Sequence, residues 1–502
     1  MIYNFNLGIG WASSGVEFAQ AYRANVLRRI GQKAKFIFTD MFPRENIEHM
    51  TKNMGFEDAE IIWLYGFFTD CRIAPVSFTQ ENLEAQFAGR RYTKSRTDNR
   101  IRYQFADQDM YYTAYLASGN DQLVHRVEIV SRGKLIRKDY YTYCKIYSEY
   151  YAPFEGKAHL YLRRYFNEDQ TIAYEEMIDE GKVMYRFPDK ILDSKEALVG
   201  EMVSRLGLTE KDVVILDRTT GIGQAVMRCA APAKIGVAIH ADHFSEASTN
   251  EDYILWNNYY EYSFSQCRHV DFYLTATEAQ KRLLTSQFQK YCGVTPKVVQ
   301  IPVGSLDELK YREQGRKKHA FITASRLAGE KHVDWLVMAA AEARKKIPDL
   351  TLDIYGEGGE EKHLRELIGK LGCGDYVRLC GQQNLTEVYQ NYEAYVSAST
   401  SEGFGLSLME AVGSGLAMIG FDVRYGNQTF IRDGKNGYLI PEEKSRDGRK
   451  RSMQLAERMI RLCLEADIAA FRENSYKIAE EYLTEEVEKK WKKLLQELLH
   501  CS

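Results

Sequence analysis

Two acids and two cations carry the chemistry legible in this chain of 502 residues. Glu402 and Glu410 lie in Ser399-Thr400-Ser401-Glu402-Gly403-Phe404-Gly405-Leu406-Ser407-Leu408-Met409-Glu410-Ala411. The apolar run at 395–398 that precedes it reads as a buried strand. Gly403 and Gly405 keep the following loop compact and let backbone approach a ligand. A helix starting near Leu406 or Ser407 then carries Glu410 about one turn in. Its free N–H groups and positive dipole end form a site for an anion. The two carboxylates beside it can accept hydrogen bonds from hydroxyl groups. A ligand with both a phosphate and vicinal hydroxyls fits, and a nucleotide-sugar has both.

Arg326 and Lys331 form the second constellation, with Leu327-Ala328-Gly329-Glu330 between them at the end of the predicted strand 320–324. Two cations at a strand end can clamp a diphosphate, Arg bidentately and Lys as a point charge. No Asp-x-Asp pair stands at a strand end in a metal position, and Asp40, Asp217 and Asp242 are isolated in the sequence. The expectation is therefore metal-independent transfer, with Arg326, Lys331 and the backbone of Gly403, Phe404, Gly405, Leu406 and Ser407 supplying the electrostatics.

The elements that must hold these residues follow the chain. Ile2 to Leu7 reads as a strand. The turn Gly8-Ile9-Gly10-Trp11-Ala12-Ser13-Ser14-Gly15 then opens a helix to about Ile30, and 35–39 is a second strand, a β-loop-α-β start of a doubly wound sheet. Gly8, Gly10 and Gly15 are expected to line its ligand cleft. Their spacing is not a dinucleotide fingerprint. From about 67 to 188 the pattern changes to short alternating segments separated by Gly, Asn and Asp turns, an antiparallel β-meander with outward tyrosines and arginines. Such an insertion suggests a partner or polypeptide surface. The α/β rhythm returns at 195 with strands at 213–216, 234–239, 271–274 and 298–301 and an aromatic helix at 253–264. A hinge is expected across 302–318. Strands at 320–324, 350–355, 377–382, 395–398, 418–421 and 437–441 form a second parallel sheet, with a helix at 385–392. Three charged helices close the chain.

The expected fold class is thus α/β, two Rossmann-like domains with an inserted antiparallel β domain. The expected divisions are 1–66, 67–190 (the insertion), 191–305, 306–480 and a C-terminal helix at 481–502 packing back on the N-terminal domain. A net charge of −3 gives no general case for nucleic-acid binding. Nine scattered cysteines without metal spacing read as reduced thiols of a cytoplasmic protein. The N-terminus shows no basic leader or cleavage site, and no apolar run is long enough to span a bilayer.

The Glu402…Glu410 stretch resembles the E-x7-E motif of retaining glycosyltransferases of family four, which have the GT-B fold of two facing Rossmann-like domains. Arg326…Lys331 matches that family's R-x4-K motif. The opening 6–17, the β-meander and the Glu402 site together, over essentially the whole length, are similar to the catalytic-subunit family of the accessory-Sec glycosyltransferases. The resemblance implies transfer of N-acetylglucosamine from its UDP donor to Ser/Thr of serine-rich repeat adhesins, beside a homologous non-catalytic B-type subunit. It implies a front-face, retaining process assisted by the leaving phosphate, with neither glutamate as nucleophile, unlike retaining glycosidases. Glu410 would accept from the ribose hydroxyls and Glu402 would hold the transferred sugar. Gly381, Gln382 and Gln383 would lie near the base by position, and Ser14 and Gly15 near the donor phosphate or the acceptor. His240, at a strand end, would contact the donor sugar near its reacting carbon, with His243 as the alternative. No cofactor beyond the donor substrate is expected. The location would be cytoplasmic, with peripheral attachment at the inner face of the membrane as a variant. Two rivals stay open: the same fold with a glycan or lipid acceptor, and a non-catalytic adhesin-binding adaptor.

Overall fold

The computed structural model describes residues 1–9, 15–105, 109–312, 314–442 and 447–499. The chain divides into two compact units, one of Met1–Val237 with Asn258–Asp271, the other of Ala238–Asn257 with the chain from Phe272 onward.

In the first unit the parallel strands β1 (Ile2–Asn6), β2 (Ala34–Phe38), β3 (Ile61–Trp63), β4 (Val213–Leu216) and β5 (Lys234–Ile239, of which this unit holds the part up to Val237) are ordered β5-β4-β1-β2-β3. The order reverses at β1, which pairs with β2 on one side and β4 on the other. The expected strands at 213–216 and 234–239 form over those residues. They are fully or nearly fully buried, as suits a parallel sheet covered on both faces.

Between β3 and β4 lies a ten-stranded antiparallel meander in which every strand pairs with its sequence neighbours, from Tyr92–Thr97 to Ile191–Leu192. The tyrosines do not all face outward, as expected from the alternation. Tyr103, Tyr147, Tyr165, Tyr174 and Tyr185 are fully buried. Tyr65, just after β3, stacks on Tyr165 at 5.7 Å, Tyr165 on Tyr174 at 4.4 Å, and Tyr174 on Phe187 at 4.7 Å. The Tyr174 hydroxyl donates to the Tyr65 carbonyl at 2.7 Å. Tyr147, Tyr165, Tyr174 and Tyr185 are inside because the meander packs this face on Trp63, Tyr65 and Phe68 at the end of the parallel sheet, whereas Tyr103 is covered by Leu83 and Phe87. Each stacked pair contributes about 0.5–1.5 kcal/mol beyond its buried area. Arginines are drawn in with them: Arg163 donates to Glu149 and Glu176, both at 3.0 Å.

In the second unit β6 (Phe272–Thr275) pairs in parallel with β7 (Val298–Gln300). A six-stranded parallel sheet is built from β8 (Ala320–Ala324), β9 (Thr351–Tyr355), β10 (Val377–Gly381), β11 (Ala394–Val396), β12 (Ala417–Phe421) and β13 (Gly437–Ile440), ordered β10-β9-β8-β11-β12-β13. Its order reverses between β8 and β11. Aliphatic side chains of the helices Val333–Ala343 and Gly448–Glu465 cover one face. The other face is covered from the helix Leu406–Gly413 and from Tyr389, Tyr392 and Tyr482.

One expected helix does not form and another is cut short. Residues 385–392 hold only a 3-10 turn, Tyr389–Asn391, because Tyr389 and Tyr392 turn inward to the sheet. Within 253–264 a short strand, Leu255–Trp256, pairs with Phe244–Ser245, and helix is confined to Glu261–Ser265. Aromatic spacing there reflects separate contacts, not one helical face. The C-terminal helix Thr484–Leu499 docks on β7 and the residue before it, through Lys490 to Gln300 at 2.7 Å and Glu497 to Lys297 at 2.8 Å.

Candidate active site

The reversal between β8 and β11 concentrates the candidates, since loops leaving neighbouring strands in opposite directions leave a crevice at their carboxyl ends. Arg326 and Lys331 follow β8. Glu402 follows β11. Lys331 Nζ donates to Glu402 Oε2 at 2.6 Å, with the side chains only 17% and 18% exposed. Lys331 has two further N–H groups to donate. Arg326 is 60% exposed and pairs with Glu330, four residues on, at 2.9 Å. The first cation is held by a fixed counterion and the second is presented on the surface.

The Glu402 loop is tightly built. Gly405 has φ +86°, and a Cβ there would meet Leu408 Cδ1 at 2.6 Å. It caps the helix Leu406–Gly413, leaving the first backbone N–H groups aimed out of the helix start. Ser407 Oγ lies 2.9 Å from the Tyr395 hydroxyl, which also reaches the Ala324 carbonyl at 3.0 Å, so the helix start is tied to the ends of β8 and β11. Phe404 packs edge-on against Phe430. Glu410 lies within the same helix. Burial pushes its carboxyl above the ordinary range, and the Tyr389 hydroxyl acts against that shift.

His240 follows β5 directly. Its carbonyl oxygen would lie 2.7 Å from a Cβ on Gly403, so the two backbones meet where only glycine fits. Ser401 Oγ donates to Asp242 Oδ2 at 3.0 Å, and Arg424 pairs with Glu246 at 3.2 Å. The segment 240–246 is thereby laid across the Glu402 loop. His243 is different in kind. It is fully buried, with Nδ1 3.1 Å from the Tyr425 hydroxyl and Nε2 2.6 Å from Gln287 Oε1. Burial pushes its pKa down to about 4. Of the two histidines, His240 is the one that meets the Glu402 loop at its backbone.

Gly381, Gln382 and Gln383 follow β10. Gly381 has φ +68° and accepts from the Gly356 N–H at 2.9 Å, and Gln383 Nε2 donates to the Cys380 carbonyl at 2.9 Å. The glycine loop after β9, assigned no role from the sequence, is fixed against the Arg326 turn: Leu327 N–H donates to Glu357 and Glu360 N–H to Leu327. A Cβ on Gly356 would lie 1.9 Å from the Ser325 carbonyl oxygen. Gly-x-Gly-Gly directly after a predicted strand was the available signal.

At the β1 reversal in the first unit, Gly8 lies against Asp40, whose Oδ1 accepts from Lys195 at 2.7 Å. Gly15 starts the helix Gly15–Arg29. Ser14 and Gly10 lie outside the described residues. Sequence reading also missed a buried network here. Arg23 grips both oxygens of Asp217 at 2.8 and 2.9 Å, Gln20 donates to Asp217 at 2.8 Å, and Asn6 donates to Gln20 at 3.0 Å. Removing one partner of such a pair costs about 3–5 kcal/mol. Asp217 at a strand end was visible, but its partner on a helix about 200 residues earlier was not. Among the described residues no group of three or more His, Cys, Asp or Glu is placed to hold a metal ion, and no helix is long and apolar enough to cross a membrane.

A family model for glycosyl transferases group 1 matches residues 308–473, and one for the GtfA extended beta-sheet domain matches 93–189. The GtfA subunit of a UDP-N-acetylglucosamine--peptide N-acetylglucosaminyltransferase from Streptococcus gordonii is 52% identical over 99% of this chain and 98% of its own. This chain belongs to the GtfA subunit family. A crystal structure of the pneumococcal O-GlcNAc transferase GtfA in complex with UDP and GlcNAc matches with TM-score 0.93 and 51% identity over 99% of both chains. A chain of a GtfA/B complex matches with TM-score 0.96 and 52% identity over the full length of both. The fold is therefore that of GtfA, a GT-B glycosyltransferase with an antiparallel sheet inserted in its first half. The extended-sheet model falls within the meander, and the group 1 model spans β8 to β13.

Proposed function

We propose that the chain transfers N-acetylglucosamine from UDP-N-acetylglucosamine to Ser/Thr hydroxyls of a serine-rich repeat adhesin, with retention of configuration, beside a GtfB-type partner subunit. In this reaction the bond between sugar C1 and the phosphate oxygen breaks and a bond from C1 to the acceptor hydroxyl oxygen forms on the same face. The hydroxyl proton leaves on the departing diphosphate.

The observation that carries this reading is the Lys331–Glu402 pair at 2.6 Å, set where β8 and β11 diverge, in a chain of the GtfA family. Lys331 and Arg326 take the charge that develops on the diphosphate, together with the N–H groups at Leu406 and Ser407. Glu402 holds the sugar hydroxyls, and Lys331 holds that carboxylate in place. Glu410 accepts from the ribose, Gly381 to Gln383 lie by the base, and His240 lies by the reacting carbon. Ser14 and Gly15 serve the donor phosphate or the acceptor. With two cations and a helix start on the leaving group, the transfer needs no metal. Residues 191–305 and 1–66 serve the acceptor, 306–480 the donor, and 67–190 the partner or the polypeptide. The protein works in the cytoplasm, where its donor is made.

Purified chain, with and without the partner, is incubated with UDP-N-acetylglucosamine and a Ser/Thr-rich polypeptide, and intact mass is read. Steps of one N-acetylhexosamine, lost in Arg326→Ala and Glu402→Ala, are expected. Donor hydrolysis without mass steps would rule out the protein acceptor, and neither signal would rule out the enzyme.

A further inference from the structure

Beneath the Glu402 loop lie two buried residues with no part in the contacts assigned above. The Glu402 peptide is gripped on both sides. Its N–H donates to the Arg424 carbonyl at 3.1 Å, and its carbonyl accepts from the N–H groups of Tyr425 at 2.6 Å and Gly426 at 2.7 Å. The grip requires glycine at 426, where a Cβ would come within 2.2 Å of the Phe404 carbonyl oxygen. Tyr425 runs inward from this grip and meets His243, ring against ring at 6.0 Å and 16°. The hydroxyl lies 3.1 Å from Nδ1.

His243 is held from its far side by Gln287, the last residue of the helix Glu278–Gln287. The neutral ring donates from Nε2 to Gln287 Oε1, which leaves Nδ1 as the acceptor for Tyr425. This tautomer is assigned from the partners. Three residues before His243, the His240 carbonyl rests on Gly403. One imidazole therefore joins three things: the helix 278–287, the segment leaving β5, and the backbone grip on Glu402. A site carried on loops needs such support, because reacting groups must be held to about 0.5 Å.

We infer that His243 and Tyr425 are positioning residues which set the Glu402 carboxylate against Lys331 and beside the His240 turn. The inference rests on the assignment of Glu402 to the transferred sugar. Supporting residues one step behind a ligand-binding group typically change activity about 10–100-fold when lost, and that range is expected here.

The test is a double-mutant cycle on the full chain with its partner, in single-turnover transfer read by intact mass. Tyr425→Phe keeps the ring and removes the hydroxyl. It should lower the transfer rate about 10–100-fold while the Kd for UDP alone stays within twofold. In a Glu402→Gln background the same change should lower the remaining rate less than threefold, since residues acting through one another are not additive. His243→Gln, whose amide can still accept from Tyr425, should retain more activity than His243→Leu. Equal losses in both backgrounds would overturn the inference, because Tyr425 would then act through the fold at large. So would a Tyr425→Phe rate within twofold of the parent. If Tyr425→Phe does not fold, His243→Gln against His243→Leu in both backgrounds decides in the same way. A Glu402→Gln variant with full activity would overturn the assignment of Glu402 itself, and that result is read from its own arm.

Discussion

Gly403→Ala isolates the geometry of the site from its charges. No ionisable group changes, and Gly403 is not among the glycines with positive φ, so alanine is tolerated by the local backbone. The added Cβ, however, would lie 2.7 Å from the His240 carbonyl oxygen, where ordinary contact begins at 3.4 Å. Both partners are backbone, so no flexible side chain can give way. The Glu402 loop and the segment after β5 must separate by about 0.7 Å, the difference between those two distances. A displacement of about 1 Å in a positioned group can lower a rate by about 100-fold. Scaled to this shift, kcat should fall roughly 30-fold, or about 2 kcal/mol in the barrier. UDP affinity should fall less than kcat, because, of the proposed UDP contacts, Arg326 and Lys331 lie on another loop and only those of the helix Leu406–Gly413 follow Gly403. The assay is a time course of intact mass with peptide acceptor, with UDP titrated separately. A kcat within threefold of the parent would show that the contact between Gly403 and His240 does not set the site, and the steric argument would fail.

Other outcomes follow from the same structure. Lys331→Met should lower kcat/KM for the donor by about 100–1000-fold, since it removes both the counterion of Glu402 and a charge on the leaving group. Arg326→Lys keeps the charge but not the fork and should weaken UDP binding about tenfold in calorimetry. Because burial raises the Glu410 pKa above its ordinary value, UDP affinity should already decline at a pH above the usual carboxylate range, and Glu410→Gln should remove that dependence. The sign for His243 is opposite in origin. Its folded pKa is depressed to about 4, so an unfolded chain takes up a proton below about 6.5 that the folded chain refuses. Stability should therefore fall between pH 6.5 and 4, by at most roughly 3 kcal/mol from this group, and urea midpoints of His243→Gln should fall less.

What could be read from the sequence was whatever is local. Arg326 and Lys331 are five residues apart at the end of a strand whose limits, 320–324, match the structure. Glu402 and its glycines announce a strand-loop-helix by themselves. The meander was visible because alternation with turn residues is a short-range signal. The direction of its tyrosines was not, because a two-residue period tells which side chains share a face but not which face is covered. Tyr165 and Tyr174 are inside because Tyr65, Phe68, Tyr147 and Phe187 meet them. The same limit hid Tyr425. Nothing near it in sequence marks it, since its partner His243 is 182 residues away. Residues 385–392 failed for a related reason. Their apolar spacing suits a helix, but Tyr389 and Tyr392 make tertiary contacts that override it.

The position of the insertion also sets an order of events during synthesis. β1 is made before both of its neighbours, and the second of them, β4, begins at Val213, beyond the whole meander. At about 5–20 residues per second, that neighbour emerges from the ribosome roughly 10–40 s after β1. The meander strands need only the strand just before them, and such local pairings form much faster than that. The insertion can therefore be a finished sheet while β1 still shows an open, apolar edge to any other chain that is being made nearby. The part that looks added can thus be complete early, while β1 still waits for its second neighbour.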